Sequence, residues 1–172
     1  MNATLKPQDL AAVLAVCVCP DPQWSFQTLS AWMGVAPSYL FYALKRAGES
    51  GLYRAEARSV NRLGMMEFIQ HGARWGFYVQ LGSRVRGVPT AHSGPVLAGQ
   101  LAYEAAAAVV WPSPRGLVVG QSLDPLYPQA ISTTEGAPEL YQVLTLVDAV
   151  RLGRRRDTEL ALDELRARLG VE

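Results

Sequence analysis

The sequence predicts an α+β protein: an N-terminal three-helix core, then a small β-containing region, then two closing helices. Three observations carry that expectation. Between Phe26 and Leu52, apolar residues recur at helical spacing on both sides of a short turn at Gly34-Val35-Ala36, so two helices are joined tightly. Between Trp75 and Val119, apolar residues come in short runs broken by Gly and Pro, some alternating with small or polar neighbours as in a half-buried strand. From Pro138 onward, leucines and valines stripe two further helices. The boundary is expected near residue 60, giving units 1–60 and 61–172.

The first helix is expected from Pro7 to Val18, with Pro20 beyond its end. Its apolar stretch, Leu10 to Cys19, has the length of a secretion-signal core, but Asp9 abuts it, Lys6 is a lone cation, and bulky Val16 precedes Cys17. It is also too short to span a bilayer. It therefore reads as a buried helix of a cytoplasmic protein, with no membrane partner. Ser25 is placed to cap the second helix, whose inward stripe is Phe26, Leu29 and Met33 and whose end is Gly34. The third helix starts at Pro37, where a missing N–H costs nothing. Leu40, Ala43, Leu44 and Ala47 form its inward face, leaving Ser38, Tyr39, Phe41, Tyr42, Lys45 and Arg46 outward.

Asn61 is expected to cap a helix over Arg62 to Gln70, ended by Gly72. Trp75, Phe77, Val79 and Leu81 predict a strand, turned at Gly82-Ser83 into a second strand over Arg84 to Val88 with both arginines on one side. Val109 to Trp111 and Leu117 to Val119 are further strands, and loops are expected over His92–Gly99 and Gly120–Pro138. Leu140, Val143, Leu144, Val147 and Val150 predict a helix from Pro138 to Leu152. Leu160, Leu162, Leu165 and Leu169 predict another from about Asp157.

With 49% hydrophobic residues the chain has enough apolar material for a core. Net charge is only +1, but residues 37–103 carry eight Lys and Arg against three Glu, whereas residues 104–150 carry one Arg against five acids. No acid falls between Glu67 and Glu104, which leaves Arg74, Arg84 and Arg86 unopposed in sequence, a one-sided field of the kind phosphate attraction needs. The triplet Arg154-Arg155-Arg156 is followed closely by acids and reads as a solvated helix start paired with Asp157 and Glu159. Cys17 and Cys19 lack the paired spacing of a zinc site and read as buried free thiols. The chain has no G-x-S-x-G elbow, Walker-type loop or H-E-x-x-H. No reaction, metal or cofactor is expected. A catalytic reading would need His71 or His92 to line a cleft beside a buried carboxylate.

The pattern Leu29, Ala31, Met33-Gly34-Val35, Ser38, Leu40, Ala43-Leu44, Arg46, Gly51-Leu52 resembles the helix-turn-helix of bacterial winged-helix transcription regulators of the MarR or GntR kind. Two departures stand out: Ala36 replaces the usual Ser or Thr cap, and Phe41 and Tyr42 are bulky where the outer face is often smaller. The resemblance implies a β-hairpin wing at Tyr53 to Val60, which is short here and lacks a two-residue turn signal, so any wing is stunted or absent. It also implies a repressor, dimeric, that binds double-stranded DNA. Ser38, Tyr39, Tyr42 and Lys45 would approach the major groove, and Arg46, Arg54, Arg58 and Arg62 the backbone. The rest of the chain resembles a group of bacterial helix-turn-helix proteins that continue with R-G-V-P-T-A (Arg86 to Ala91), W-P (Trp111-Pro112), P-L-Y (Pro125 to Tyr127) and V-D-A-x-R-x-G-R-x-R (Val147 to Arg156). That likeness implies an extension that binds a protein encoded nearby, such as the nuclease or nucleotidyltransferase of a toxin–antitoxin or defence pair. The alternative reading is a protein-docking module on a helix-turn-helix scaffold, with Phe41 and Tyr42 as its contact.

Overall fold

The computed structural model describes residues 3–172, and the chain is α+β. Helix α1 (Pro7–Val18) is buried all round from Asp9 to Ala15, which explains why its sequence has no polar face. Helix α2 (Phe26–Met33) starts at a capping box: Ser25 Oγ accepts the Thr28 N–H at 3.0 Å and Thr28 Oγ1 accepts the Ser25 N–H at 2.9 Å. It ends at Gly34, which is left-handed at φ 73°. Helix α3 (Pro37–Glu49) follows, with Pro37 in its first turn and no side-chain cap from Ala36. A minimal hairpin, β1 (Tyr53–Arg54) and β2 (Ser59–Val60), comes next, pairing Tyr53 with Val60 and Arg54 with Ser59.

Helix α4 (Arg62–Phe68) is capped by Asn61, whose Oδ1 accepts the Gly64 N–H at 3.0 Å. Gly72 does not end it. The chain widens into a π turn over Ile69–Ala73 and continues as α5 (Arg74–Gly76). A Cβ at Gly72 would lie 2.9 Å from the Phe68 ring, and that ring meets Phe77 edge-on at 5.3 Å, so the glycine serves close packing rather than termination. The strand expected over Trp75 to Leu81 is absent. Trp75 belongs to α5 and points to solvent, Phe77 is buried, and residues 77–81 form no strand; backbone pairing begins only at Gly82 and Ser83, which exchange hydrogen bonds with Ser122.

The sheet consists of β3 (Arg84–Pro89), β4 (Val109–Pro112) and β5 (Val118–Ser122), which close on one another. Strand β3 runs antiparallel to both others, and β4 and β5 pair in parallel. Three strands closing this tightly leave no interior for side chains. A Cβ at Gly87 would collide with the Trp111 carbonyl oxygen, and one at Gly120 with the Ala108 carbonyl oxygen. The expected loops carry helical turns at Ala91–Ser93, Pro128–Ser132 and α6 (Thr133–Gly136). Helix α7 (Pro138–Leu152) begins and ends as expected, and α8 (Arg155–Leu169) starts two residues before Asp157.

Helices α1 and α7 form the centre: α1 packs on α3 to one side and α7 to the other, and α8 covers α7. The hydrophobic core is continuous across the expected boundary at residue 60. Polar ties cross it as well. Tyr127 Oη donates to the Met33 carbonyl at 2.9 Å, and Arg62 Nη1 donates to the Leu169 carbonyl at 2.6 Å. The sheet is fastened to α7 by Asp148, whose Oδ2 accepts from Thr90 Oγ1 at 2.6 Å and Trp111 Nε1 at 2.7 Å and whose Oδ1 accepts from Arg151 Nη1 at 2.7 Å. Among the described residues, no helix is long and apolar enough to cross a membrane.

Gly87→Ala forces the barrel strands apart and is expected to destabilise the protein by roughly 2–4 kcal/mol in thermal or denaturant unfolding. Gly99→Ala, where a Cβ meets nothing within 4 Å, is the matched control and should leave the midpoint unchanged.

Candidate functional site

The fold leaves the outer face of α3 uncovered. Leu40, Ala43, Leu44 and Ala47 are buried toward the core, so helical geometry turns Ser38, Phe41, Tyr42 and Lys45 outward as one i, i+3, i+4, i+7 stripe. Phe41 is 50% exposed and Tyr42 56%. The rings continue off the helix: Tyr42 meets Phe41 edge-on at 5.4 Å, Phe41 meets Phe26 at 5.9 Å, and Phe26 meets Trp24 at 5.6 Å. Phe26 is therefore part of this aromatic surface rather than of the inward face of α2, where Leu29, Ser30 and Met33 are buried. Beside the C-terminal half of α3 lies a groove of about 580 Å³, bounded by Lys45 and Glu49 on the helix and by Arg54 and Glu56 on the hairpin.

The eight residues expected to meet DNA divide into two groups. Ser38, Tyr42, Lys45 and Arg54 are exposed, and their side chains have no hydrogen-bond or ion-pair partner among the described residues. The other four are tied to the fold, although Arg58 and Arg62 remain exposed. Arg46 forks onto buried Asp9, Nε to Oδ2 at 2.9 Å and Nη2 to Oδ1 at 2.7 Å, and the hydrogen bond to that carboxylate raises the guanidinium pKa further. Asp9 also accepts the Lys6 N–H at 2.9 Å, so the pair joins the start of α1 to α3. Arg58 lies 4.2 Å over the Trp24 ring and donates to the Trp24 carbonyl. Arg62 donates to the carbonyls of Leu169 and Cys17 at the ends of α8 and α1. Tyr39 is half-buried, and its hydroxyl is shut off from solvent with no partner among the described residues. Burial and then the Asp9 carboxylate hold that phenol above its ordinary range, against a smaller opposing effect of Arg46.

Of these ties, one left a trace in the sequence: an acid in the first turn of a helix with no polar face needs a cation from elsewhere. Phe26 and Phe41 left a weaker trace, as aromatics one turn from a helix surface. The basic stretch after Glu67 is likewise held down in part. Arg84 donates to the carbonyls of Ala106 and Val119, Arg86 to that of Gly116, and Arg74 stacks 4.8 Å over Trp75.

His92 is buried beside a buried carboxylate, the arrangement a catalytic reading required. Its Nε2–H donates to the Ala107 carbonyl at 2.8 Å, Nδ1 accepts from Arg154 Nη1 at 3.3 Å, and Asp157 Oδ2 lies 3.7 Å from Nδ1. Tyr103 stacks on the imidazole at 4.0 Å and donates its hydroxyl to Asp157 at 2.9 Å. His92, Ser93 and Tyr103 border a cavity of about 200 Å³. A nucleophile–base pair is not formed there, because Ser93 Oγ accepts the Val109 N–H at 3.0 Å and makes no bond to the imidazole. His71 lies exposed in the π turn. Cys17 and Cys19 are half-buried thiols, and burial pushes Cys17 up to about 11, which keeps it protonated. Among the described residues, no three His, Cys, Asp or Glu side chains converge as metal ligands.

Burial lowers the His92 pKa, and Arg154 lowers it further; the Ala107 hydrogen bond and Asp157 oppose them. A lowered folded pKa means that the unfolded chain binds the proton first. The stability from neutral His92 is therefore complete above the ordinary value of 6.5 and is lost as pH falls through the lowered folded value. His92→Gln, which keeps an N–H for Ala107, should flatten the fall in melting temperature between about pH 7.5 and about pH 5.5. An identical pH profile for variant and wild type would remove the buried imidazole as its cause. Comparison with protein-family models, with curated proteins and with solved structures finds no match to this chain.

Proposed function

We propose that the chain is a sequence-specific binder of double-stranded DNA, a repressor of its own or a neighbouring operon, with residues 1–60 as a short-winged helix-turn-helix. One observation supports this above the others: the chain folds back onto α1, α2 and the turn between α2 and α3, yet leaves the Ser38, Phe41, Tyr42 and Lys45 stripe bare. A bare helix of this size fits a major groove about 12 Å wide. In this reading Tyr42 and Ser38 meet base edges and thymine methyls, and Lys45 and Arg54 meet phosphates on either side of the groove. Tyr39, Arg46, Arg58 and Arg62 instead hold the module in shape. A homodimer would set two such helices about 34 Å apart on successive major grooves. No reaction is assigned to the chain.

The aromatic surface favours a second reading, protein docking, because Phe26, Phe41 and Tyr42 form a contiguous exposed patch, backed by the buried Trp24 ring, of the residue types that dominate protein interfaces. The partner would be a protein encoded nearby. The two readings separate on salt. Duplex binding should weaken steeply with ionic strength, and Lys45→Ala should reduce the slope of log K against log salt by about 0.9. Aromatic docking should be nearly indifferent to salt.

The direct test is fluorescence anisotropy with the chain's own upstream region against a scrambled duplex. Tyr42→Ala should cost about 1–3 kcal/mol on the matched duplex and little on the scrambled one. Equal affinity for both duplexes, or unaltered binding by Tyr42→Ala and Lys45→Ala together, would defeat the DNA reading.

A further inference from the structure

A second cleft, lined by Pro7 at the start of α1 and Arg151 in the last turn of α7, carries a buried cation with an open valence. Arg151 is 6% exposed. Its Nε donates to the Phe77 carbonyl at 2.8 Å, and Nη1 donates to Asp148 Oδ1 at 2.7 Å and to the Asp124 carbonyl at 3.1 Å. Its Nη2 has no hydrogen-bond partner among the described residues and is not sealed from solvent. Arg151 lines a cleft of about 540 Å³, the size range of small-molecule sites, together with Asp124, Gln80, Tyr78, Pro125 and Leu126. The Asp124 carboxylate is exposed and has no ion-pair or hydrogen-bond partner among the described residues. The Tyr78 ring is 70% exposed against the same opening.

We infer that this cleft binds a free amino acid with an apolar or aromatic side chain, its carboxylate on Arg151 Nη2 and its ammonium on Asp124. The charges select that class. Asp148 already balances Arg151, and Asp124 adds a negative charge at the rim, so a plain anion is repelled and a plain cation leaves Nη2 unmet. A zwitterion satisfies both groups at once. Both anchors line the one cleft, and the Asp124 backbone carbonyl is itself bonded to the guanidinium through Nη1. Tyr78, Pro125 and Leu126 then offer apolar walls for the side chain. The site does not depend on how α3 is used, and it is measured without DNA.

Calorimetric titration of the full chain with L-phenylalanine should give saturable binding at one site per chain. Phenethylamine, which lacks the carboxylate, and 3-phenylpropionate, which lacks the ammonium, should each bind about tenfold more weakly or worse. Asp124→Asn should weaken phenylalanine by about tenfold while leaving 3-phenylpropionate unchanged or improved. Its melting temperature should match the wild type, since only the backbone of Asp124 serves the fold. Tyr78→Ala should weaken phenylalanine more than glycine. No heat with phenylalanine, leucine or tryptophan, equal binding of phenylalanine and phenethylamine, or an Asp124→Asn protein that binds as before would each overturn the assignment.

Discussion

The fold of the C-terminal half hangs on one carboxylate. Asp148 is wholly buried in α7, and burial raises its pKa, which its bonds to Arg151, Thr90 and Trp111 oppose. Taking a carboxylate and a guanidinium out of water costs several kcal/mol per ion, and the pair is tolerated only when the remaining donors and acceptors are met. Here they come from different parts of the chain: Thr90 beyond β3, Trp111 on β4, the Phe77 carbonyl in the stretch after α5, and the Asp124 carbonyl after β5. The network thus fixes where the sheet sits on α7. A set of partners this scattered forms only when every element is in place, so it favours one arrangement over near alternatives.

The sheet that Asp148 anchors is unusual for its closure. Three short strands meet edge to edge, which leaves no open strand edge in the sheet but requires the backbones to approach where side chains would ordinarily stand. Gly87, Gly116 and Gly120 make that possible, each with a neighbouring backbone inside the space of a Cβ. Arginines of β3 then staple it to β5 and to adjacent loops through carbonyl oxygens. Sheet and staples together hold the loop carrying Pro125 to Tyr127. From there Tyr127 reaches the Met33 carbonyl beside the turn between α2 and α3. The C-terminal half supports the helix pair from behind and leaves the α3 stripe open.

In the N-terminal half, cations divide by what their surroundings lack. Arg46 meets a buried acid, Arg62 meets carbonyls at the ends of two helices, and Arg58 meets an indole face and a carbonyl. Each satisfies a group that the fold would otherwise leave wanting. Lys45 and Arg54 face no such demand and stay in solvent. The surface at α3 is consequently less cationic and more aromatic than a count of nearby arginines suggests, with Glu49 and Glu56 at the edge of its groove.

Local chemistry made much of the architecture legible. The Ser25 cap, the left-handed Gly34, Pro37 in the first turn of α3 and the apolar stripe from Pro138 to Leu152 each act within a few residues, and helices obey such short-range rules. The bare stripe on α3 was legible for the same reason, since helical period alone decides which side chains share a face. What required the folded chain was everything that depends on partners distant in sequence. Trp75 to Leu81 alternates like a strand yet pairs with nothing, and Gly72 resembles a terminator yet admits the Phe68 ring. Arg46 is 37 residues from Asp9, and Thr90 and Trp111 are 58 and 37 residues from Asp148. A hydrogen bond or an ion pair has no period along the chain. Its partner is chosen by burial, which exists only once the helices and strands have met.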